Sequence, residues 1–281
     1  MNDLRVFETS RSLKEALQLE RGLGKVIGFV PTMGALHEGH MALVQRAYSE
    51  TDIVVVSIFV NPTQFNNHAD LEKYPRMLEK DLELLESVGR IWVFAPSYEE
   101  VYPETDSFDP MDLEGLEEVL EGTFRPGHFQ GVVHVVRNLF HIVEPNKAFF
   151  GLKDFQQVAI IRLMVNKLNL PVEIVPCATL RESTGLAMSS RNLRLTDSQR
   201  EEALIIFRTL EFLRSLGRKI PPSEAKEAAI SFFKEGSLEL EYLEIVDGST
   251  LKTLITDWGN EPVCCIAAFC GEVRLIDNMQ L

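Results

Sequence analysis

A ten-residue stretch between a predicted strand and a predicted helix constrains the fold most strongly. It has the sequence Pro-Thr-Met-Gly-Ala-Leu-His-Glu-Gly-His over residues 31 to 40. The apolar run before it, Lys25 to Val30, predicts a buried strand, and the apolar residues after it, from Met41 to Tyr48, recur at helical spacing. The stretch is therefore a strand-to-helix turn, the connection from which α/β folds are built.

The chemistry of this turn suits a phosphate group. A helix that begins after a strand presents unpaired N–H groups and a partial positive charge, which together attract anions. Gly34 and Gly39 have no Cβ, so we expect an anionic ligand to approach the backbone closely. His37 and His40 are three residues apart and share a face if the first helical turn includes them.

Two alternatives to a phosphate site stay open on spacing alone. The histidines could cap a helix while the glycines only turn the chain. Zinc is a weaker alternative, because the metalloprotease pattern has histidines four residues apart with a glutamate directly after the first. Here the interval is three and no third ligand is nearby, so we predict no metal ligand from the protein.

The remaining apolar runs predict the fold class. The unbroken β-branched run Asp52–Val60 is typical of a parallel strand that is covered on both faces, and three further predicted strands alternate with helical patterns: Arg90–Ala95, Lys147–Phe150 and Val172–Val175. Beyond residue 184 two helices come first and strands follow, including a hairpin around Cys270-Gly-Glu272. We predict a Rossmann-like, doubly wound parallel sheet (α/β) over residues 1–183 and a smaller α+β domain over residues 184–281.

Polar residues follow two of these strands at the end where ligands of open α/β sheets bind. Asn61 and Gln64 lie after the second strand; Asn61 could serve only the turn that Pro62 makes, whereas turn chemistry explains Gln64 less well. A second strand-to-helix turn brings Lys153, a candidate for phosphate, and Asp154, which could orient the lysine or hold a ribose.

Two later stretches have less regular patterns. Ser189, Ser190 and Arg191 combine hydroxyls with a guanidinium, a set suited to several phosphate oxygens, although a serine there could also cap a helix. The acidic, proline-rich region 97–126 predicts a short helix near Leu113 to Leu120, and 121–128 predicts a mobile loop.

The net charge, the apolar runs and the cysteines limit the classes of partner and the cellular location that we expect. The net charge of -14 argues against a nucleic-acid surface, which needs clustered Lys and Arg. No apolar run is long enough for a membrane span, and the first residues lack a signal-peptide core, so we expect a cytoplasmic protein. The four cysteines form no C-x-x-C pair, and adjacent Cys264 and Cys265 would point to opposite faces of a strand; we expect buried thiols.

Five blocks together closely resemble the pantothenate synthetase family. They occur in the family's order, and the resemblance extends over nearly the whole chain. The His-x-Gly-His turn alone would indicate only the wider nucleotidyltransferase superfamily. The blocks are Pro31–His40, Phe59–Phe65, Arg125–Val132, Phe150–Gln157 and Gly185–Asn192.

The resemblance implies a reaction and a set of ligands. The family condenses (R)-pantoate with β-alanine through an enzyme-bound pantoyl adenylate, using ATP and releasing pyrophosphate and then AMP. The resemblance also implies dependence on Mg²⁺, bound through ATP phosphates, a cytoplasmic location and a homodimer. Leu152 departs from the family, whose members more often carry Glu or Gln there.

Site roles follow from the matching positions. His40 matches the proton donor, and Gln64 and Gln157 match the pair that holds pantoate, with Gln64 also near β-alanine; Asn61 is a further substrate candidate. Phe65, Val132 and Val133 could receive the gem-dimethyl group of pantoate. The residues expected to stabilise charge in catalysis are His37, His40, Lys153, Ser189, Ser190 and Arg191. The positions expected to bind ATP are Met33, Gly34, Ala35, Leu36, His37, Glu38, Gly39, His40, Gly151, Leu152, Lys153, Asp154, Leu180, Met188, Ser189, Ser190 and Arg191.

Two rival functions share parts of this pattern. An adenylyltransferase would pass AMP to a phosphate-bearing acceptor, need extra basic residues for it and lack an amine site. A nucleotide-binding regulator would bind ATP and release no pyrophosphate when pantoate is added.

Overall fold

The computed structural model describes residues 4–66 and 71–281 of the chain. The larger part is built on a parallel sheet with the strand order β1-β4-β3-β2-β5-β6. From β2 the chain adds β3 and β4 on one side and then crosses to β5 and β6 on the other, so the order reverses between β2 and β5. Ligands of open α/β sheets bind at such a reversal. The strands are β1 (Arg5–Phe7), β2 (Ile27–Thr32), β3 (Ile53–Ile58), β4 (Ile91–Phe94), β5 (Lys147–Gly151) and β6 (Glu173–Cys177).

Helices cover both faces of this sheet. Val55 of β3 packs in one apolar cluster with the first, sixth and seventh helices, whereas its neighbours Val54 and Val56 pack with the second and third. Successive strand residues therefore enter opposite cores, as their unbroken β-branched run requires. The predicted doubly wound α/β architecture is confirmed. The helices are α1 (Ser10–Gly22), α2 (Glu38–Glu50), α3 (Leu78–Glu86), α4 (Tyr98–Val101), α5 (Glu121–Phe124), α6 (His128–Val143) and α7 (Phe155–Lys167).

The smaller α+β part has an antiparallel sheet packed on two helices. Its strands β7 (Glu239–Asp247), β8 (Pro262–Cys270) and β9 (Val273–Gln280) lie in sequence order, and its helices are α8 (Asp197–Leu216) and α9 (Pro222–Phe233). The predicted hairpin between β8 and β9 is confirmed.

The cysteines behave as buried apolar side chains. All four are buried, and Cys264 packs in the cluster that α8 and α9 form with the small sheet. Cys265 points the other way, into a cluster with Leu120 and Tyr242, which confirms the predicted opposite orientation. Within the described residues, no helix combines the length and the apolar character that crossing a membrane needs.

The segment from 113 to 128 differs from its prediction. Residues 113–120 form turns rather than a helix, and α5 begins at Glu121, where a mobile loop was predicted. Glu121 and His128 are buried, with 7% and 6% of their surface exposed. The predicted helix is wrong, and the predicted loop is wrong over Glu121–Phe124. Glu121 is buried there because it receives hydrogen bonds from Arg274 and Tyr242, more than a hundred residues further along the chain.

Candidate active site

The turn after β2 is held by the protein's own acceptors. Gly34 and Ala35 have φ angles of 79° and 50°, in the left-handed region. The carboxylate of Asp81, from α3, accepts the N–H groups of Ala35 at 2.9 Å and Leu36 at 2.7 Å. Thr32 Oγ1 accepts the N–H of Gly34 at 3.1 Å. These three N–H groups, expected to face a phosphate, are therefore paired inside the protein.

The two glycines make room for side chains of this protein rather than for a ligand. A Cβ on Gly34 would lie 3.0 Å from Asp81 Oδ2, and one on Gly39 would lie 2.8 Å from Cε1 of His37. Contacts this close would displace the two groups that fix the turn. The expected open approach of an anion is thus not the reason for glycine at these positions.

His37 and His40 cap α2 and still face a cleft. His37 Nδ1 accepts the N–H of Gly39 at 3.1 Å, and His40 Nδ1 accepts the N–H of His37 at 3.4 Å. Because each Nδ1 is an acceptor, each neutral ring carries its proton on Nε2. The ring centroids are 4.1 Å apart, so the histidines share a face, and both rings line a common cleft. Capping and ligand binding are therefore compatible here.

The surroundings keep both imidazoles neutral. Burial lowers the pKa of His37 to about 4, and the positive charge of Lys153 adds to the effect. Burial lowers the pKa of His40 to about 3, assisted by His37 and Lys153. At neutral pH each ring can donate an Nε2–H hydrogen bond, but in the free protein neither supplies the positive charge expected from the sequence.

The histidines belong to a cleft of about 900 Å³, here called the first cleft. Lys153 and Arg191 bring two cations to it from separate loops, and the chain around β2, β5 and β6 forms its floor. The predicted nucleotide residues that line the first cleft are Met33, His37, Gly39, His40, Gly151, Lys153, Asp154, Leu180, Met188, Ser189, Ser190 and Arg191. The other predicted positions, all described, lie outside the lining: Gly34, Ala35, Leu36, Glu38 and Leu152.

Ser189 and Ser190 hold different parts of the structure together. Ser189 caps the 3-10 helix Ser190–Arg194 by accepting the N–H of Arg191 at 3.3 Å. Ser190 donates its hydroxyl to the carbonyl of Ala35 at 3.1 Å and so links this loop to the first turn. Ser189 therefore caps a helix, as the alternative interpretation of the sequence allowed, and it also lines the first cleft.

Lys153 is positioned by contacts with the larger part of the molecule and with the smaller α+β part. Its Nζ lies 3.5 Å from Asp154 Oδ1, so Asp154 orients the lysine as one of its two predicted roles requires. Asn278 of β9 donates its amide to the carbonyls of Leu152 at 2.8 Å and Lys153 at 2.9 Å. The Leu152 side chain packs against the main core, so this residue touches the small sheet through its backbone.

A second cleft, also of about 900 Å³, adjoins the first. Gln64 lies in it with both ends of its amide engaged: Oε1 accepts from Asn61 at 3.0 Å, and Nε2 approaches Met33 Sδ at 3.1 Å. Asn61 is 1% exposed and also donates to the Gly131 carbonyl at 3.2 Å. Asn61 therefore orients Gln64.

One side of the second cleft is apolar. Val132, Val135, Val136 and Leu139 of α6 line it together with Phe59 and Phe65. The expectation for Val133 is wrong, because this side chain is fully buried in the main core and points away from the cleft. Gly131 brings α6 close, since a Cβ there would lie 2.4 Å from the carbonyl oxygen of Thr63.

The two clefts share a wall. His40, Tyr74, Asp154, Gln157 and Arg191 line both of them, with Pro31, Met33 and Phe150. A ligand in the first cleft and a ligand in the second would therefore meet at this wall. Gln157 reaches it from the first turn of α7, which begins at Phe155.

Sequence patterns missed Asp81 and Tyr74. Asp81 shares a helix face with the fully buried Leu85, four residues later, and an acid on an apolar face was the available signal. Tyr74 lines both clefts and burial raises its pKa, but no motif marks it. The described residues contain no group of three or more His, Cys, Asp or Glu side chains that could hold a metal ion.

The doubly wound sheet, with a His-x-Gly-His turn at the strand-order reversal and two joined clefts, is typical of the class of Rossmann-like nucleotide-binding enzymes. Residues 5–280 match the family model described as pantoate-beta-alanine ligase. The chain belongs to the pantoate-beta-alanine ligase family, and it is a ligase.

Named members of the family are similar to this chain over nearly its full length. The chain is 52% identical to pantothenate synthetase of Phocaeicola vulgatus, with 99% of each chain covered, and 50% identical to that of Porphyromonas gingivalis, also with 99% of each covered. The crystal structure of pantothenate synthetase from Thermus thermophilus has a TM-score of 0.92 at 42% identity, covering 98% of this chain and 99% of that one. A pantoate-beta-alanine ligase from Francisella tularensis, complexed with beta-gamma ATP and beta-alanine, has a TM-score of 0.80 at 35% identity, with 99% and 97% covered.

Proposed function

We propose that this ligase, which joins pantoate to β-alanine with ATP, works through a pantoyl adenylate formed where the two clefts meet. The observation that carries the proposal is the shared wall of His40, Tyr74, Asp154, Gln157 and Arg191. A nucleotide in the first cleft and a carboxylic acid in the second would place the α-phosphorus and the carboxylate oxygen beside each other there. Alignment of two reactants is the main source of rate in such a displacement.

The chemistry takes two displacements. A carboxylate oxygen of pantoate bonds to the α-phosphorus, the bond to the bridging oxygen breaks, and pyrophosphate leaves. The amine of β-alanine then bonds to the acyl carbon, AMP leaves with the bonding electrons, and the amine loses a proton as the amide forms. Neither step requires a covalent nucleophile from the protein.

The first cleft is the proposed site of ATP. Lys153 and Arg191 provide positive charge for the phosphates, Ser189 can donate its hydroxyl, and His37 and His40 can donate Nε2–H hydrogen bonds. His40 is the proposed proton donor, because contact with a phosphate would raise its low pKa. The first-turn and second-turn residues outside the lining shape the site: Gly34, Ala35, Leu36, Glu38 and Leu152.

Magnesium fits this site as part of the nucleotide. We propose that Mg²⁺ would be held by the phosphate oxygens of ATP in the first cleft, whose lining offers one carboxylate, Asp154, and, among the described residues, no group of three protein ligands. The ion would neutralise phosphate charge as pyrophosphate leaves.

The second cleft is the proposed site of pantoate. Gln64 and Gln157 carry neutral amides that can donate to its carboxylate and pair with its hydroxyls. Val132, Val135 and Val136 offer the apolar surface that a gem-dimethyl group requires. Asn61 contributes by orienting Gln64.

Isotope exchange tests the intermediate. The protein is incubated with ATP, Mg²⁺, pantoate and labelled pyrophosphate, without β-alanine. A pantoyl adenylate predicts pantoate-dependent entry of label into ATP, and net pyrophosphate release once β-alanine is added. No exchange until β-alanine is present would contradict the intermediate, and exchange without pantoate would point to a different acceptor.

Three further features are proposed on the resemblance to the family. Residues 1–183 and 184–281 act as two domains, joined here by contacts such as those of Asn278. The protein is a cytoplasmic homodimer. Sedimentation equilibrium tests the dimer, cell fractionation tests the location, and separate expression of residues 1–183 tests the domain boundary.

A further inference from the structure

A partly buried cation in the second cleft, Arg125, has one long ion pair. Arg125 follows α5, and 17% of its side chain is exposed. Among the described residues its ion pair is with Glu121, at 3.8 Å. That carboxylate already accepts from Arg274 at 2.7 and 2.8 Å and from the hydroxyl of Tyr242 at 2.7 Å. The guanidinium of Arg125 therefore keeps donors for another anion.

Arg125 stays charged in this position. Burial lowers its pKa to about 10, and the cations Arg191 and Arg274 nearby add to the effect. Removing a charge from water is unfavourable unless a partner compensates it, and the carboxylates of Glu121, at 3.8 Å, and Asp154 offset only part of the effect of burial. A ligand carboxylate would provide a planar partner that matches the guanidinium with two parallel hydrogen bonds.

Arg125 differs from the two proposed phosphate-binding cations in not lining the first cleft, although Arg191 also reaches the second cleft and the outer basin. Lys153 and Arg191 line the first cleft, but Arg125, although described, is outside that lining. It lines the second cleft beside Gln64 and Gln157. It also lines an outer basin of about 1060 Å³, whose other members include Lys73 and Arg194. Arg125 thus lies between solvent and the proposed acyl site.

We propose that Arg125 binds the carboxylate of β-alanine and so directs the amine to the acyl carbon of the pantoyl group. The inference rests on the proposed function. Once pantoate is adenylated its own carboxylate has become an uncharged acyl group, so the amino acid brings the carboxylate that needs a cation in this cleft. Arg125 then selects amines that carry a carboxylate over amines that do not.

Arg125→Gln tests the assignment through three measurements on the full chain. Pantoate-dependent exchange of pyrophosphate into ATP, without amine, should stay within about threefold of the unmodified protein. The kcat/KM for β-alanine should fall about 10- to 150-fold, the range for a lost hydrogen bond between charged groups. Hydroxamate formation with hydroxylamine, an amine without a carboxylate, should be unchanged.

Two variants control for other effects. Arg125→Lys keeps the charge and loses the planar fork, so its kcat/KM for β-alanine should lie between those of the unmodified protein and Arg125→Gln. Lys73→Gln removes an exposed basin cation, 57% exposed and 3.4 Å from Glu272, and should leave all three measurements within about twofold of the unmodified protein.

The outcomes separate this inference from the proposed function. If Arg125→Gln loses exchange as strongly as β-alanine use, the residue serves pantoate or the fold, and the proposal is overturned. Equal losses for β-alanine and hydroxylamine would overturn it as well. Absence of exchange in the unmodified protein would contradict the adenylate. Arg125 would then be tested by the ratio of the rate with β-alanine to the rate with propylamine, an amine without a carboxylate. The proposal predicts that Arg125→Gln lowers this ratio.

Discussion

Asp81→Ala should loosen the turn that presents both histidines. The substitution removes the acceptor of the Ala35 and Leu36 N–H groups, at 2.9 and 2.7 Å, in a position where Asp81 is 1% exposed. Each buried donor left unpaired costs about 1–3 kcal/mol, or about 2–6 kcal/mol for two. Burial raises the pKa of Asp81, so the charge itself opposes folding and its removal offsets part of this loss. We expect a net destabilisation of about 2–3 kcal/mol.

The assay compares urea unfolding of Asp81→Ala with that of Glu83→Ala. Glu83 is exposed on the same helix, so its removal should change the free energy of unfolding by less than about 0.5 kcal/mol. Under conditions where Asp81→Ala remains folded, its pantoate-dependent pyrophosphate exchange should fall about tenfold or more, because His37 and His40 lose their support. Unfolding and exchange that match the Glu83→Ala control would refute this account of the turn.

Four further predictions concern the clefts. Lys153→Ala should lower the rate of pyrophosphate release about 10²- to 10³-fold, as for other lost charge donors, and near-normal release would reject its role. Gln64→Ala should raise KM for pantoate and β-alanine more than for ATP; an equal rise for all three would indicate misfolding. Because the folded pKa values of His37 and His40, about 4 and 3, lie below the ordinary 6.5, the unfolded chain binds more protons in acid. The free energy of unfolding should thus fall from pH 6.5 towards pH 3, and less so in His40→Gln; identical pH profiles would contradict the low pKa. Asn278→Ala should raise KM for ATP, because the turn that carries Lys153 loses the hydrogen bonds from Asn278 at 2.8 and 2.9 Å. An unchanged KM would show that this turn keeps its conformation without Asn278.

Local patterns predicted the framework because each depends on neighbours in the chain. The β-branched run ending at Val60 indicated a strand buried on both faces. The end of the apolar run at Val30 indicated the turn before α2, although β2 continues to Thr32. Gln64 and Lys153 were found because they lie in the connections that follow β3 and β5, whose carboxyl ends meet at one edge of a parallel sheet. The resemblance to a known family then selected Gln157 over its neighbour Gln156, which is 3% exposed and bonded to the backbone of Leu116 and Val119.

Distant partners explain what the sequence did not reveal. The N–H groups of the first turn were expected to be open to phosphate because their acceptor, Asp81, is 45 residues from Leu36. Glu121 was assigned to a loop because its partner Arg274 is 153 residues away. Both are acids whose burial depends on tertiary contacts, and a local pattern cannot distinguish such an acid from a solvated one.

Oxygen transfer from substrate to AMP measures the central claim most directly. Pantoate labelled with ¹⁸O in its carboxylate is converted with ATP and β-alanine, and the products are analysed by mass spectrometry. A carboxylate that meets the α-phosphorus at the shared wall predicts AMP with one ¹⁸O atom and unlabelled pyrophosphate. AMP without label would contradict the joining of the two clefts in a single displacement.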